Sequence, residues 1–273
     1  MRFDYKISKQ IVLGDFLKSQ GISRRMGRKI KAHGLITVNG AKAYFYTMLY
    51  PGDYLILEYR EEVNENMPLS PYPLNIIYQD EWLLVISKPA DLSVQPSKKH
   101  SSDNLVARIK NYYNSVGLHC NIHIVNRLDY ATSGLMLVAK EGHTHHLLSS
   151  IPLERKYLAI VSGIPAISGI VDLPIARDSS HRIKRMIDAT GRKAITEYRL
   201  LAVQDRNGIV ELKLKTGRTH QIRLHMAALS HPVIGDRLYG FGGNRLMLHS
   251  YYLSFVHPYK NDFKEFVDYP KWY

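Results

Sequence analysis

The sequence predicts an α+β protein: a large domain rich in strands, preceded by a small αβ unit. Three observations carry this. Strand-like runs outnumber helical ones and do not alternate with them. About the first sixty residues hold two short helical patterns and a hairpin signal of their own. The texture then changes across Glu61 to Pro73, where acids, amides and three prolines (Pro68, Pro71, Pro73) suit an exposed linker. The expected division is therefore a unit over 1–62, a linker over 63–74 and a domain over 75–273.

In the first unit, Val12, Phe16 and Leu17 give a short helical face ending near Gly21. Ser23 is placed to cap a second helix through about Ala32, with Met26 and Ile30 inward and Gly34 closing it. Leu35 to Val38 is a strand, Asn39-Gly40 a type I′ hairpin turn, and Tyr54 to Tyr59 a further strand. Beyond the linker, Trp82 to Ile86 is a buried-type strand that runs into Lys88-Pro89. Ser102 is expected to cap a helix with Leu105, Val106, Ile109, Tyr112 and Tyr113 on its apolar face. Ile122–Val125 and Gly134–Ala139 are apolar enough for central strands. Further strands are expected at Tyr157–Val161, Ala194–Leu200, Val210–Leu214 and Leu246–His249, and Thr219 should cap a helix through about Leu229.

Composition bounds the function. A chain of 273 residues with 45% apolar content can bury a sizeable core. Thirty-seven Lys and Arg against 24 Asp and Glu give +13, which makes a polyanion the default partner. The single cysteine, Cys120, excludes an internal disulfide framework. Met1-Arg2-Phe3-Asp4-Tyr5-Lys6 lacks an apolar leader, and no run approaches the ~18 apolar residues of a spanning helix, so a soluble cytoplasmic protein without membrane contact is expected; a monomer is the accompanying expectation.

Two segments carry chemistry. Asn126-Arg127-Leu128-Asp129-Tyr130-Ala131-Thr132-Ser133-Gly134 is a polar loop between apolar strands. Asp129 stands where a buried strand opens, shielded yet reachable, which suits a nucleophile or base; a turn capped together with Thr132 and Ser133 is the other reading. Thr216 to His225 places Arg218, His220 and Arg223 at a helix start, where free N–H groups favour an anion. Arg223 falls beside the apolar positions Ile222, Met226 and Leu229, and a buried guanidinium needs an anion: Asp129 is the natural candidate, a structural acid elsewhere the alternative.

These stretches resemble the RluA-type pseudouridine synthases. Arg127 to Gly134 resembles the family loop that carries the catalytic aspartate, and Lys88-Pro89-Ala90 its upstream Lys-Pro stretch. Arg155-Lys156-Tyr157 is similar to a stretch whose tyrosine packs on the target base. Gly191 to Tyr198, Gly217 to His225, Pro232 to Asp236, Tyr239-Gly240 and Leu246 to His249 follow in family order, over roughly residues 75 to 260. Two positions depart: Asn126 replaces the usual His, and Asp91 the usual Gly. The resemblance implies a catalytic domain built on a mixed, largely antiparallel sheet, and isomerisation of uridine in structured RNA without cofactor or metal. Asp129 is the implied catalytic carboxylate, Arg223 the group that orients it, Tyr157 the base-stacking ring, and Leu246 or Leu248 the pocket wall. Whether the route passes through a sugar adduct or a glycal is left open.

Residues 11 to 60 resemble the S4-type RNA-binding module, on Phe16-Leu17, Gly21 to Arg25, Gly34 to Gly40 and Gly52-Asp53. Ser23, Arg24, Arg25 and Lys29, with Arg28 and Lys31 beside them, are its expected RNA contacts, joined by Arg127, Arg218 and His220 of the larger domain. Ribosomal RNA is the favoured partner and tRNA the next. A non-catalytic RNA-binding or ribosome-assembly protein is the alternative, and retention of Asp129, Tyr157 and Arg223 together weighs against it. His143, His145 and His146 lack the spacing and acid neighbours of a metal site, and Gly240 to Gly243 lacks the strand-turn-helix context of a dinucleotide loop. Arg177, Arg182, Lys184 and Arg185 lie in a Ser-rich loop that either tracks phosphate or is merely solvated.

Overall fold

The computed structural model describes residues 2–59, 62–96 and 102–273. The side chain of Arg25, one of the expected RNA contacts, lies outside the described residues, as does Glu61 at the linker's start.

The N-terminal unit runs β1 (Arg2–Lys6), β2 (Ile11–Val12), α1 (Leu13–Ser19), α2 (Arg24–His33), β3 (Leu35–Val38), β4 (Ala41–Lys42), β5 (Met48–Leu49) and β6 (Tyr54–Glu58). Its four-stranded sheet has the order β1-β6-β3-β4. Asn39 at φ 51° and Gly40 at φ 83° make the hairpin turn. Ser23 caps α2 by accepting from the Met26 N–H at 3.2 Å. Leu13, Leu17, Ile30, Leu49, Leu55 and Leu57 form a core drawn from this unit alone. Strand β1 was not expected: its charged residues alternate with half-buried ones, the pattern of an edge rather than an apolar run.

The segment from Glu62 to Leu74 is mostly exposed, but it is fastened to the larger domain. Ser70 donates to Asp103 at 2.7 Å, Asn121 donates to the Glu62 carbonyl at 2.8 Å, and Glu65 pairs with buried Lys110 at 3.3 Å.

The larger domain continues with β7 (Asn75–Gln79), β8 (Leu83–Lys88), α3 (Leu105–Ser115), β9 (His123–Ile124), β10 (Ser133–Ala139), α4 (Gly142–Ser150) and β11 (Glu154–Val161). Then follow β12 (Ser168–Asp172), β13 (Ile175–Arg177), β14 (Arg185–Ile187), β15 (Ile195–Gln204), β16 (Asn207–Leu214), α5 (Gln221–Ala228), β17 (Leu248–Val256) and β18 (Phe263–Val267). Ten strands form one mixed sheet, along β12-β15-β16-β11-β17-β10-β8-β7, with β18 on β17 and β9 on β10. Its pairings are antiparallel except β10 with β17, which run parallel for two residues. The fold is α+β, as expected.

Successive strand residues point to opposite faces, so β10 serves two cores. Met136 and Val138 pack with Ile109 and Tyr113 of α3 and Ile222 and Met226 of α5. Leu135 and Leu137 pack on the other side with Leu148 of α4 and Phe255. That double burial is why Gly134 to Ala139 is a continuous apolar run.

Several expected boundaries move. Asn104, not Ser102, caps α3, accepting from the Ala107 N–H at 2.9 Å. Helix α5 begins after His220, which takes a left-handed conformation at φ 59° and gives no side-chain cap; Thr219 does not cap it. The stretch around Ile122 to Val125 forms only the two-residue β9, because its chain turns away towards the Asp129 loop. The last expected strand starts at Leu248 and runs to Val256. Among the described residues, no helix is long and apolar enough to cross a membrane.

Candidate active site

Between β9 and β10 the chain makes the loop that carries Asp129, and three buried polar contacts fix it. Asn126, in the place of the family's histidine, accepts from the Leu137 N–H at 2.6 Å and donates to the Leu135 carbonyl at 3.3 Å, so it ties the loop to β10. The Lys88 ammonium, wholly buried, donates to the carbonyls of Pro89, Leu92 and Tyr130 at 2.8, 3.1 and 3.0 Å. Ser133 is bonded to His249 at 2.8 Å. Gly134 then passes so close to β17 that a Cβ there would lie 2.3 Å from the Ser250 carbonyl oxygen, and its φ of 112° suits glycine alone. Asp91, at the other departure, stands at φ 57°, a left-handed position that Asp tolerates.

Asp129 faces a cavity of about 270 Å³ lined also by Arg127, Arg155, Tyr157, Arg218, His220, Arg223 and Leu248. The side chain is 24% exposed, and its Oδ2 lies 3.7 Å from the Arg223 guanidinium. Arg223 is nonetheless held chiefly by Asp236, through two parallel bonds of 2.7 Å. Asp236 in turn accepts from the N–H groups of Leu238 and Tyr239 at 2.8 and 3.1 Å. Burial opposes the charge on both, but the pairing outweighs it. It lifts Arg223 above its ordinary pKa and holds Asp236 below the usual carboxylate range. Asp129 as Arg223's main partner is thus corrected: a buried structural acid orients the guanidinium, which then points its third nitrogen at Asp129.

Tyr157 enters the cavity from β11, where the register with β17 slips between Lys156 and Tyr157. Such a bulge re-aims a side chain at the site. Burial pushes its phenol above the usual tyrosine pKa against the pull of Arg155, so the hydroxyl stays protonated at neutral pH. His220 is bonded to the Tyr239 hydroxyl at 2.9 Å. Burial, with Arg223 and Arg185, holds its pKa below the ordinary imidazole value against Asp129. Gln221, buried, accepts from the Arg218 N–H at 3.0 Å and donates to the Ile195 carbonyl at 2.9 Å, which pins the loop before α5.

The structure brings Asp129, Tyr157, Arg223, Arg127, Arg218 and His220 together at one cavity. Of the two leucines, Leu248 lines it and Leu246 does not; Leu246 is packed in the core behind, 4% exposed. Ser23, Arg24 and Lys29 lie away from this cavity, in the N-terminal unit. The Ser23 hydroxyl accepts from the Met26 N–H as a helix cap and lines a cleft of the N-terminal unit. Lys29 turns inward to a cleft of about 340 Å³ shared with His123, His145 and His146. Among the described residues no group of three or more His, Cys, Asp or Glu is placed to hold a metal.

Neither Asp236 nor Arg155 carries a role legible in the sequence. Asp236 ends the Pro232–Asp236 stretch, but nothing local says that an acid after Gly235 reaches back to α5. Arg155 lines the cavity, and its Nε is buried without a hydrogen-bond partner.

The family model described as RNA pseudouridylate synthase matches residues 82–228, more than half of the chain. The chain belongs to the RluA-type RNA pseudouridine synthases. It is 42% identical over 248 residues to an uncharacterized RNA pseudouridine synthase of Bacillus subtilis, covering 87% of this chain and 88% of that protein. It is 32% identical over 255 residues to ribosomal large subunit pseudouridine synthase D of Vibrio cholerae, covering 85% and 79%. Among solved structures it is similar to human RNA pseudouridylate synthase domain containing 1, with a TM-score of 0.60 and 25% identity over 72% of this chain and 84% of that one. A pseudouridine synthase breaks the N1–C1′ bond of uridine, turns the base and rejoins it through C5, and the RNA substrate follows from the family.

Proposed function

We propose that this enzyme modifies ribosomal RNA in the cytoplasm, as a monomer, with Asp129 as its catalytic carboxylate. The carrying observation is the cavity in which Asp129 alone brings a partly exposed carboxylate to within 3.7 Å of a guanidinium locked by a second acid. In this reading Arg223, locked by Asp236, positions Asp129. Tyr157 stacks on the uracil, and its protonated hydroxyl is available for proton transfer at C2′. Arg127, Arg155 and Arg218 hold the phosphates around the flipped nucleotide. Names of relatives that act on the large ribosomal subunit support ribosomal over transfer RNA. The N-terminal unit, over 1–62, supplies affinity and target choice as an S4-like module, with 75–273 as the catalytic domain and 63–74 joining them.

Asp129→Asn keeps the shape and removes the charge. Turnover on purified ribosomal RNA should vanish while binding holds within a few-fold, and mapping pseudouridines in total RNA from a deletion strain should show loss at a ribosomal site. Substantial product from the Asn variant would remove Asp129 from its role; a lost site in tRNA alone would redirect the substrate. Residues 62–273 alone should retain turnover at saturating RNA and bind more weakly.

A further inference from the structure

Helix α2 presents Arg24, Arg28 and Lys31 to solvent at i, i+4 and i+7, a single stripe along one face. Gly27 sits within that stripe, and the Phe45 ring lies over it, 3.4 Å from where a Cβ would stand. Phe45 is half-buried against the unit's core, and the residues on either side of it project outward. Tyr44 is 47% exposed and Tyr46 80% exposed. Their rings are nevertheless ordered, stacked at 5.5 Å between centroids and 5° between planes, with the Lys42 ammonium 5.7 Å from the Tyr44 ring.

The turn that holds the two rings is closed and anchored by backbone hydrogen bonds. Thr47 N–H donates to the Tyr44 carbonyl at 2.8 Å, and Tyr44 N–H to the Thr47 hydroxyl at 2.9 Å. The carbonyls of Phe45 and Thr47 accept from Gly14 and Leu13 at the start of α1, both at 2.9 Å. Two exposed rings in a parallel stack, on the turn whose Phe45 packs against the helix that carries the cations, are a ready surface for flat aromatic groups strung on a polyanion.

We propose that Tyr44 and Tyr46 form a stacking platform for unpaired RNA bases flanking the target, with Arg24, Arg28 and Lys31 holding the phosphates of the same strand. The platform extends a stack outward from Tyr46, is indifferent to base identity because every base has a π-face, and is edged by Lys42. It gives the enzyme a preference for a structured target that carries a single-stranded flank. This rests on reading α2 as a phosphate-contacting helix, and the test keeps the two apart.

The full chain is titrated with an RNA hairpin, either blunt or carrying a single-stranded extension with 2-aminopurine at its unpaired positions. Wild type should bind the extended RNA more tightly and quench the 2-aminopurine. Tyr46→Ala should lose roughly tenfold in affinity for the extended RNA and lose the quench, with blunt-hairpin affinity and the salt slope unchanged. Tyr46→Phe should keep both. Arg28→Ala should instead flatten the salt slope by about 0.7–0.9 on either RNA. An unchanged slope for Arg28→Ala together with a lost quench in Tyr46→Ala would sink the phosphate reading and uphold the platform. Wild-type affinity and quench in Tyr44→Ala and Tyr46→Ala would overturn the platform. So would self-association that these changes abolish while RNA binding stays intact, which would give the face to a second copy of the chain.

Discussion

Lys88 shows what a single residue contributes behind the reacting groups. Its ammonium gathers three carbonyls, two from its own strand end and one from Tyr130, next to Asp129. Burial pushes its pKa down to about 7, against the opposing pull of Asp129. An unfolded lysine titrates near 10.4. Between pH 7 and 10 the unfolded chain therefore holds a proton that the folded one has released, and stability should rise with pH through that window. Relative to Lys88→Met, the wild type should gain about 1.4 kcal/mol per pH unit there, read from urea melts at stepped pH. A pH-independent difference would mean that the three carbonyls keep the lysine charged. None of this was visible in the chain, where Lys88 closes an apolar run and looks like a surface end. Asp129 and Tyr157 were legible because a motif carries them. The Asp236 bonds to Arg223 were not, because they join a loop to a helix with no local trace.

At the scale of elements, periodicity and turn chemistry marked what local forces decide. Asn39-Gly40 announced its hairpin, and Ser23 its helix, because a left-handed turn and an N-cap depend on residues within three positions. The sequence shows no sign of helix α4, since Gly-His-Thr-His-His-Leu-Leu-Ser-Ser has almost no apolar stripe and is held by tertiary contacts: Leu148 joins the core on the sheet, His143 packs on Phe3, and Thr144 bonds the Tyr259 hydroxyl. The start of α3 was misplaced by two residues because Ser102 and Asn104 both suit a cap. The geometry discriminates between them: Asn104→Ala should cost about 1 kcal/mol, whereas Ser102→Ala should be nearly neutral. Thermal melts of the two variants check this, and equal losses would return the cap to Ser102.

For the whole molecule, the α+β class and the change of texture near residue 61 could be read from the chain, but strand order could not, because it depends on which distant edges meet. The decisive strand is β17. It lies between β11 and β10, so it joins the half-sheet that carries Tyr157 to the half-sheet that leads out of the Asp129 loop. Its contact with β10 pairs Ser133 with His249 and Gly134 with Ser250, residues more than a hundred positions apart. Contacts of such long sequence separation form late, because the loop they close must first be ordered. The consequence is temporal. During synthesis both halves leave the ribosome before the strand that unites them, so the nascent chain has no complete catalytic cavity until residues 248–256 emerge. Pulsed hydrogen exchange during refolding should accordingly show β8–β10 and β11, β15 and β16 protected before β17; simultaneous protection would contradict that order. On that order, the cavity that would act on RNA closes only as the last strand of the sheet's middle leaves the RNA-rich machine that makes it.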